Sequence, residues 1–499
     1  MKNWLKGLDW AKISKNFGII AALFLASFLL AHLVFWNSFN QYRFLFVLAI
    51  VLLASFFFVF RKKIGEKPEF GFLAVALICG SLLSFSEPKK YVNWDEQIHY
   101  KRAEALAANV VPGMFFRPNT VDSSYSLEEQ GKINILTDSQ YKRSKSRSKA
   151  DNLTYQNAAY LPSAFALALG NLLHLPFHIM FAFARWINLL FYSAVVFFAI
   201  RRLKTGKMLM SVIALFPTAI FLAASYNYDS WLTAFSMIGF AYLFSELQQP
   251  EKKLTTKEAV VMVGSFVLGL GPKALYFPLM LPLFLIKKEK FETPRQYKIF
   301  MWLTVVAVLL VLGSFLLPFV FHGPGKGDVR GGSDVDATKQ VAFILSDPSA
   351  YSKILFNFAS GYVNPLNAGG FTVFLAYLGG IDGFWIVMAT LAAVFLWDRN
   401  TYDKKNSLKM RLLVVGAYIV TVVLICTALY VSFTAVRSTT MAGVQPRYLI
   451  PLVFPLLFVL GIKAIKNPFN KNIFNSIVFI AMSLVLLNGT WVLMISKYY

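Results

Sequence analysis

GFLAVALICGSLLSF (Gly71–Phe85), followed a few residues later by YVNWDEQIHYKRAE (Tyr91–Glu104), decides how this chain is read. The first stretch is uncharged and reads as the body of a membrane-spanning helix. The second gathers Asp95, Glu96, His99, Lys101, Arg102 and Glu104 just beyond it. On a helix, Asp95, His99 and Arg102 share one face by their i+4 and i+3 spacing, and Glu96 lies on the flank. Two carboxylates and an imidazole at a membrane face can accept and deliver protons. A solvated, mixed-charge turn that caps the helix is the plainer alternative.

Outward from this point the chain keeps the same character. Of 499 residues, 57% are hydrophobic and only 15% charged, with a mean hydropathy of +0.56. Long uncharged runs recur, and the ten-residue alternation of a membrane barrel is missing, so the fold class is all-α: a polytopic helical integral membrane protein. Cys79 and Cys426 both fall inside apolar runs and read as small core residues. Gly18–Trp36 is long enough to span and lacks a small-residue cleavage site, which argues against a cleaved signal. The net charge of +24 would suggest nucleic acid in a soluble protein. Here basic loops facing anionic lipid explain it, and no nucleic-acid partner is expected.

The chain reads as a single integral membrane domain, 1–499. Lys2, Lys6, Lys12 and Lys15 place the N-terminus in the cytoplasm, and spans are expected near 17–36, 42–60 and 71–86. Residues 87–157 then form a long outer loop, with a Ser-interleaved basic run from Lys142 to Lys149 that reads as a disordered solvated tract or, alternatively, as a docking surface for a polyanion. Charge counting makes 155–174 an interfacial or re-entrant helix. Spans follow near 179–200, 208–224 and 229–246. Residues 259–286 are flanked by lysines on both sides and broken at Gly269–Gly271–Pro272, which predicts a hairpin with Lys273 at its outer tip. After a span near 299–321, residues 322–381 form a second outer region. It contains one amphipathic surface helix carrying Val341, Ile344, Leu345, Tyr351, Ile354, Leu355 and Phe358. Four more spans near 382–397, 411–433, 447–463 and 474–496 bring the expectation to about 11–13 transmembrane helices.

Charges within such a protein are costly, so the few present are informative. Arg185 falls within a span. Asp229, beside Asn227, joins Lys273 and Arg447 at the expected outer boundary, where Asp95 and Glu96 also lie. A lysine as point charge and an arginine as planar fork suit a phosphate. Snorkelling, or one structural ion pair such as Asp229 with Lys273, is the alternative.

The order of these pieces resembles a bacterial family of multispanning proteins of long-unassigned function, placed with the type-C (GT-C) membrane glycosyltransferases. The matching pieces begin with D-E-x-x-H and a following R-A (Asp95, Glu96, His99, Arg102, Ala103), YLPSAF (Tyr160–Phe165) and Arg185–Asn188. AASYNYD (Ala223–Asp229), PKALYFP (Pro272–Pro278), SDP (Ser346–Pro348) and VQPRYLIP (Val444–Pro451) follow. Trp94 stands where the family tends to have proline, and Pro446 where it tends to have glycine.

The resemblance implies transfer of a sugar from a polyprenyl-phosphate donor to a cell-envelope acceptor (glycan, teichoic acid or another anionic acceptor) on the outer face of the plasma membrane, with inversion. It makes Asp95 the base. Glu96 would be a second acid that orients the acceptor or a divalent ion (Mg or Mn), and His99 an orienter. It gives the donor phosphate to Lys273, Arg447 and Arg102, and the substrate cleft to Tyr160, Asn227, Asp229, Gln445 and Tyr448. A lipid-linked sugar flippase is the main rival; a midplane site at an internal repeat, the mark of many transporters, is not seen.

Overall fold

The computed structural model describes residues 10–86, 93–111, 116–118, 141–143, 152–323, 327–398, 408–461 and 467–499. The basic run beyond Arg143 and the basic turns at 399–407 and 462–466 lie outside the described residues. Helices dominate. The N-terminal ones are α1 (Trp10–Val34), α2 (Gln41–Phe60), α3 (Pro68–Ser86), α4 (Glu96–Val110), α5 (Leu161–Leu172) and α6 (Phe177–Arg202). Then come α7 (Lys207–Ala214), α8 (Pro217–Ala223), α9 (Asp229–Leu247), α10 (Thr256–Leu270) and a 3-10 segment Gly271–Leu285. The rest comprises α11 (Pro294–His322), α12 (Ala337–Ser346), α13 (Pro348–Tyr362), α14 (Phe384–Trp397), α15 (Leu408–Phe433), α16 (Ile450–Leu460) and α17 (Lys471–Thr490). Strand among the described residues is confined to one small antiparallel pair, β1 (Phe116–Pro118) and β2 (Tyr141–Arg143). Among the described residues seven helices are long and apolar enough to cross a membrane, and four shorter apolar helices accompany them, so the chain is a polytopic helical membrane protein.

Proline sets several boundaries. The apolar run 208–224, expected as one span, is two helices. Pro217 has no N–H to donate and holds Phe216 in an extended conformation (φ −50°, ψ 131°), so α7 stops and α8 restarts with proline in its first turn. The expected surface helix over 341–358 is likewise two. Pro348 ends α12, and Asp347 caps α13 by accepting from Ala350 N–H at 2.9 Å. Their apolar faces still lie against α15, where Tyr351 Oη meets Thr427 Oγ1 at 2.6 Å.

Residues 256–285 leave one end of the molecule and return to it. Leu254 N–H donates to the Lys290 carbonyl at 2.7 Å and Lys253 Nζ to that of Glu289 at 2.8 Å, which brings the two ends of the segment together. The turn sits at Lys273, whose φ −140° and ψ 76° interrupt the helical conformation beside Pro272. Gly271 lets this tip pack closely, since a Cβ there would stand 2.5 Å from the Tyr155 carbonyl oxygen. α9 runs antiparallel to α10, with Asp229 at the Lys273 end and Glu246 at the other. At that far end Glu246 is gripped by Arg202, Lys252 and Lys290, and Glu258 joins through Arg202 and Lys252.

A small core of its own seats α4. Ala103 and Ala107 are fully buried and allow close approach to Ala164 and Leu167 of α5, while Tyr100 packs edge-on against Phe177 and Tyr226. With its 12 residues α5 is about 18 Å long, short of a bilayer's hydrocarbon core.

Candidate functional site

Six stretches of the chain, spread between Asp95 and Tyr448, meet around one cavity of about 470 Å³ at the Asp229 end of the molecule. Its polar wall carries Asp95, Lys273, Asp328, Arg330, Gln445 and Tyr448. Ile425, Ala428 and Leu429 of α15 give the cavity an apolar wall as well. A cavity with a charged wall and an apolar one suits a ligand that is itself divided into a charged head and a hydrocarbon tail.

Asp95 stands at the start of α4 with φ 57°, ψ 18°, a left-handed conformation rarely taken outside glycine and frequent at functional sites. A helix-capping aspartate would turn its carboxylate back onto the first N–H groups; this one makes no such bond. Its Oδ1 instead accepts from Arg330 Nη1 at 2.7 Å, leaving Oδ2 without a protein hydrogen bond among the described residues.

Arg330 is held in turn by Asp328. Its Nε lies 2.9 and 3.0 Å from the two carboxylate oxygens, and Nη2 also contacts Oδ2. Those hydrogen bonds keep the Asp328 carboxyl below the usual carboxylate range and raise the already high pKa of Arg330. The loop carrying both is laid on the end of α15: Asp328 N–H donates to the Ser432 carbonyl at 2.7 Å, and a Cβ on Gly331 would stand 2.2 Å from the Phe433 carbonyl oxygen.

Lys273 reaches the cavity from the hairpin tip. Its ammonium lies 3.4 Å from Asp229 Oδ1, 3.2 Å from the Tyr448 ring centre and 5.1 Å from that of Tyr228. Arg447 is nearly inaccessible, at 2% exposure, and stands behind the cavity wall. Its Nε is 2.8 Å from Asp229 Oδ2, close enough for an ion pair but not aligned as a hydrogen bond, and its guanidinium lies 4.5 Å over the Trp94 ring. Asp229 is thus shared by both cations, one of which, Lys273, was the example of a structural partner given from the sequence. Gln445 Oε1 is buried without a hydrogen-bond partner among the described residues.

Glu96 takes no part in the cavity. It is fully buried, and its two oxygens accept from Arg185 Nε and Nη2 at 2.8 and 2.7 Å, with Tyr226 N–H at 3.2 Å. Side chains of adjacent residues at a helix start diverge by about 100°, so Asp95 faces the cavity and Glu96 the bundle. The pair therefore does not frame a divalent-ion site, and no group of three or more His, Cys, Asp or Glu converges anywhere among the described residues.

His99 is buried, with Nδ1 2.7 Å from Tyr160 Oη and its ring edge-on to Tyr228. Burial, reinforced by the positive field of Arg447, Lys273 and Arg330, lowers its pKa to about 3, so it stays neutral at physiological pH. Asn227 shapes a turn, its Oδ1 accepting from Ser230 N–H at 3.0 Å and its Nδ2 donating to the Leu222 carbonyl. Arg102 is exposed on α4 and does not line the cavity.

Among the candidates from sequence, Asp95, Lys273, Gln445 and Tyr448 share the cavity. Asp229, Arg447, His99 and Tyr160 stand behind it, and Glu96, Asn227 and Arg102 lie apart. Arg330 and Asp328 were missed. They belong to the Gly-rich HGPGKGDVRGGSD (His322–Asp334), where charge is unremarkable in a solvated loop.

No curated protein and no solved structure matches the chain. The profile of a family described as "Predicted membrane protein (DUF2142)" matches residues 77–456, which takes in every residue of the cavity wall. The chain belongs to this family.

Proposed function

We propose that the protein is a membrane glycosyltransferase that moves a sugar from a polyprenyl-phosphate donor to a hydroxyl of a cell-envelope acceptor, on the outer face of the plasma membrane. The observation that carries this reading is one cavity lined together by an incompletely bonded carboxylate, Asp95, two cations, Lys273 and Arg330, and apolar residues of α15. The chemistry asks for those parts. Asp95 takes the proton of the acceptor hydroxyl while that oxygen bonds to the anomeric carbon. The bond from that carbon to the phosphate oxygen breaks, and its electron pair leaves on the polyprenyl phosphate, whose charge the cations offset. Attack from the face opposite the leaving group inverts the anomeric centre. The apolar residues of α15 would receive the first prenyl units. The lysines near the N-terminus, which favour a cytoplasmic start, and the cationic knot around Glu246 at the opposite end support an outer placement of the cavity.

The test uses membranes supplied with radiolabelled decaprenyl-phosphate hexoses and pentoses, with extracted envelope material as acceptor. Wild-type protein transfers label from at least one donor. Asp95→Asn, with normal expression and an unchanged melting temperature, loses at least about 100-fold of the rate, the scale of a general base. Transfer by Asp95→Asn at the wild-type rate would refute the assignment, and passage of intact donor across the bilayer without bond cleavage would make the protein a carrier.

A further inference from the structure

We propose that Arg330 is the group that receives the phosphate of the lipid, and that its ion pair with Asp95 is the closed state of a latch which the phosphate opens. The binding half stands on geometry alone; the statement that opening exposes a base rests on the proposed function.

Among the described residues three cations, Arg330, Lys273 and Arg447, lie at the cavity or directly behind its wall, and their surroundings rank them. Arg447 is sealed behind the wall against Asp229 and Trp94. Lys273 lines the cavity but already has Asp229 and the Tyr448 ring as partners. Arg330 presents an accessible guanidinium: Asp328 takes Nε and Nη2, while Nη1 points to Asp95. A carboxylate accepting from an arginine fork occupies the position that a phosphate oxygen would take. Asp95 therefore takes the place at Nη1 that the ligand's anionic head would occupy. The donor's phosphodiester carries one negative charge, as a carboxylate does, but it offers two non-bridging oxygens that Arg330 and Lys273 can share, and it displaces Asp95 from Nη1 while Asp328 keeps the arginine anchored.

The local backbone suits this exchange. Arg330 is flanked by Gly327 (φ 80°) and Gly332 (φ 114°), conformations that glycine adopts without penalty, and the segment between them is tied to α15 through Asp328. On the Asp95 side, the left-handed residue makes no capping bond that release from Arg330 would have to break. Release leaves the Asp95 carboxylate in the cavity beside the phosphate, so the carboxylate is freed only when donor is present.

A fixed strut between α4 and the 327–332 loop would produce the same resting contact, and the sign of two mutational effects separates the ideas. Binding of decaprenyl phosphate to purified protein in nanodiscs is measured without turnover, with decaprenol as the control that lacks the charged head. If Asp95 competes for Arg330, Asp95→Asn tightens binding of decaprenyl phosphate by about threefold or more, because the internal competitor is gone. Arg330→Gln weakens it by about tenfold or more, the worth of one charge-assisted contact. The double variant binds like Arg330→Gln alone, and decaprenol binds equally to all four proteins. Arg330→Lys, which keeps the charge but loses the fork, falls between wild type and Arg330→Gln and serves where the glutamine variant does not fold.

Weaker or unchanged binding in Asp95→Asn, or decaprenol binding as tightly as its phosphate, would overturn the latch. The outcome is separable from that of the transfer assay. Opposite signs in binding together with undiminished transfer by Asp95→Asn would keep the latch and remove the base.

Discussion

At the residue scale the behaviour of His99 can be worked out from its surroundings. In the unfolded chain its imidazole titrates near the ordinary 6.5; in the folded protein burial beside Arg447, Lys273 and Arg330, partly offset by Asp229, brings this down to about 3. Between those values the unfolded chain binds a proton that the native protein refuses. The stability that His99 contributes is therefore complete above pH 6.5 and drains away as pH falls toward 3, at a slope approaching about 1.4 kcal/mol per pH unit. Thermal unfolding in detergent is expected to shift to lower temperature between pH 6.5 and 4.5. His99→Gln, which cannot titrate, shows a flatter dependence over that window; an identical dependence would mean that some other group governs it. Much of the residue-scale picture was legible beforehand. Asp95 and Lys273 stood out because charge beside long apolar runs is expensive and needs a reason. The separate fate of Glu96 was not legible. Its partner Arg185 lies 89 positions away, and only the folded chain shows the two oxygens filled.

At the element scale, prolines and glycines decided where helices end and how closely they meet. Pro217 and Pro348 each divide a stretch whose apolar periodicity reads as continuous, because periodicity registers the buried face but not a missing N–H. Conversely, the lysine pairs on both sides of 259–286 and the Gly–Pro break within it did mark a segment that goes out and returns. The loop carrying Arg330 is the element whose role was hidden: its glycines look like linker, yet Gly331 is pressed against the end of α15. Gly331→Ala drives a methyl group into the Phe433 carbonyl and Val335 and should lift the loop, costing about 1–3 kcal/mol of stability and the Arg330–Asp95 contact. Melting temperature and decaprenyl-phosphate binding should both fall. Gly361→Ala, within α13 and with open space at the Cβ position, serves as the control and should lower neither. A Gly331→Ala protein indistinguishable from wild type would show that the loop does not rest on α15.

Over the whole molecule, charge is divided between two ends joined by α9, about 25 Å from Asp229 to Glu246. At one end Glu246 and Glu258 are held by Arg202, Lys252 and Lys290 in a knot of mutual ion pairs. At the other, Asp95, Lys273 and Arg330 border open space. That asymmetry separates a site from a structural ion network, and it depends on long-range contacts that no stretch of sequence contains. The central claim is that this open end is where a lipid phosphate meets a carboxylate. An experimental structure determined in nanodiscs with decaprenyl phosphate addresses it directly. The account predicts density for the phosphate between Lys273 and Arg330, the prenyl chain along Ile425, Ala428 and Leu429, and Asp95 released from Arg330 toward the phosphate. A phosphate bound elsewhere, with Asp95 still paired to Arg330 and the cavity without lipid, would contradict it.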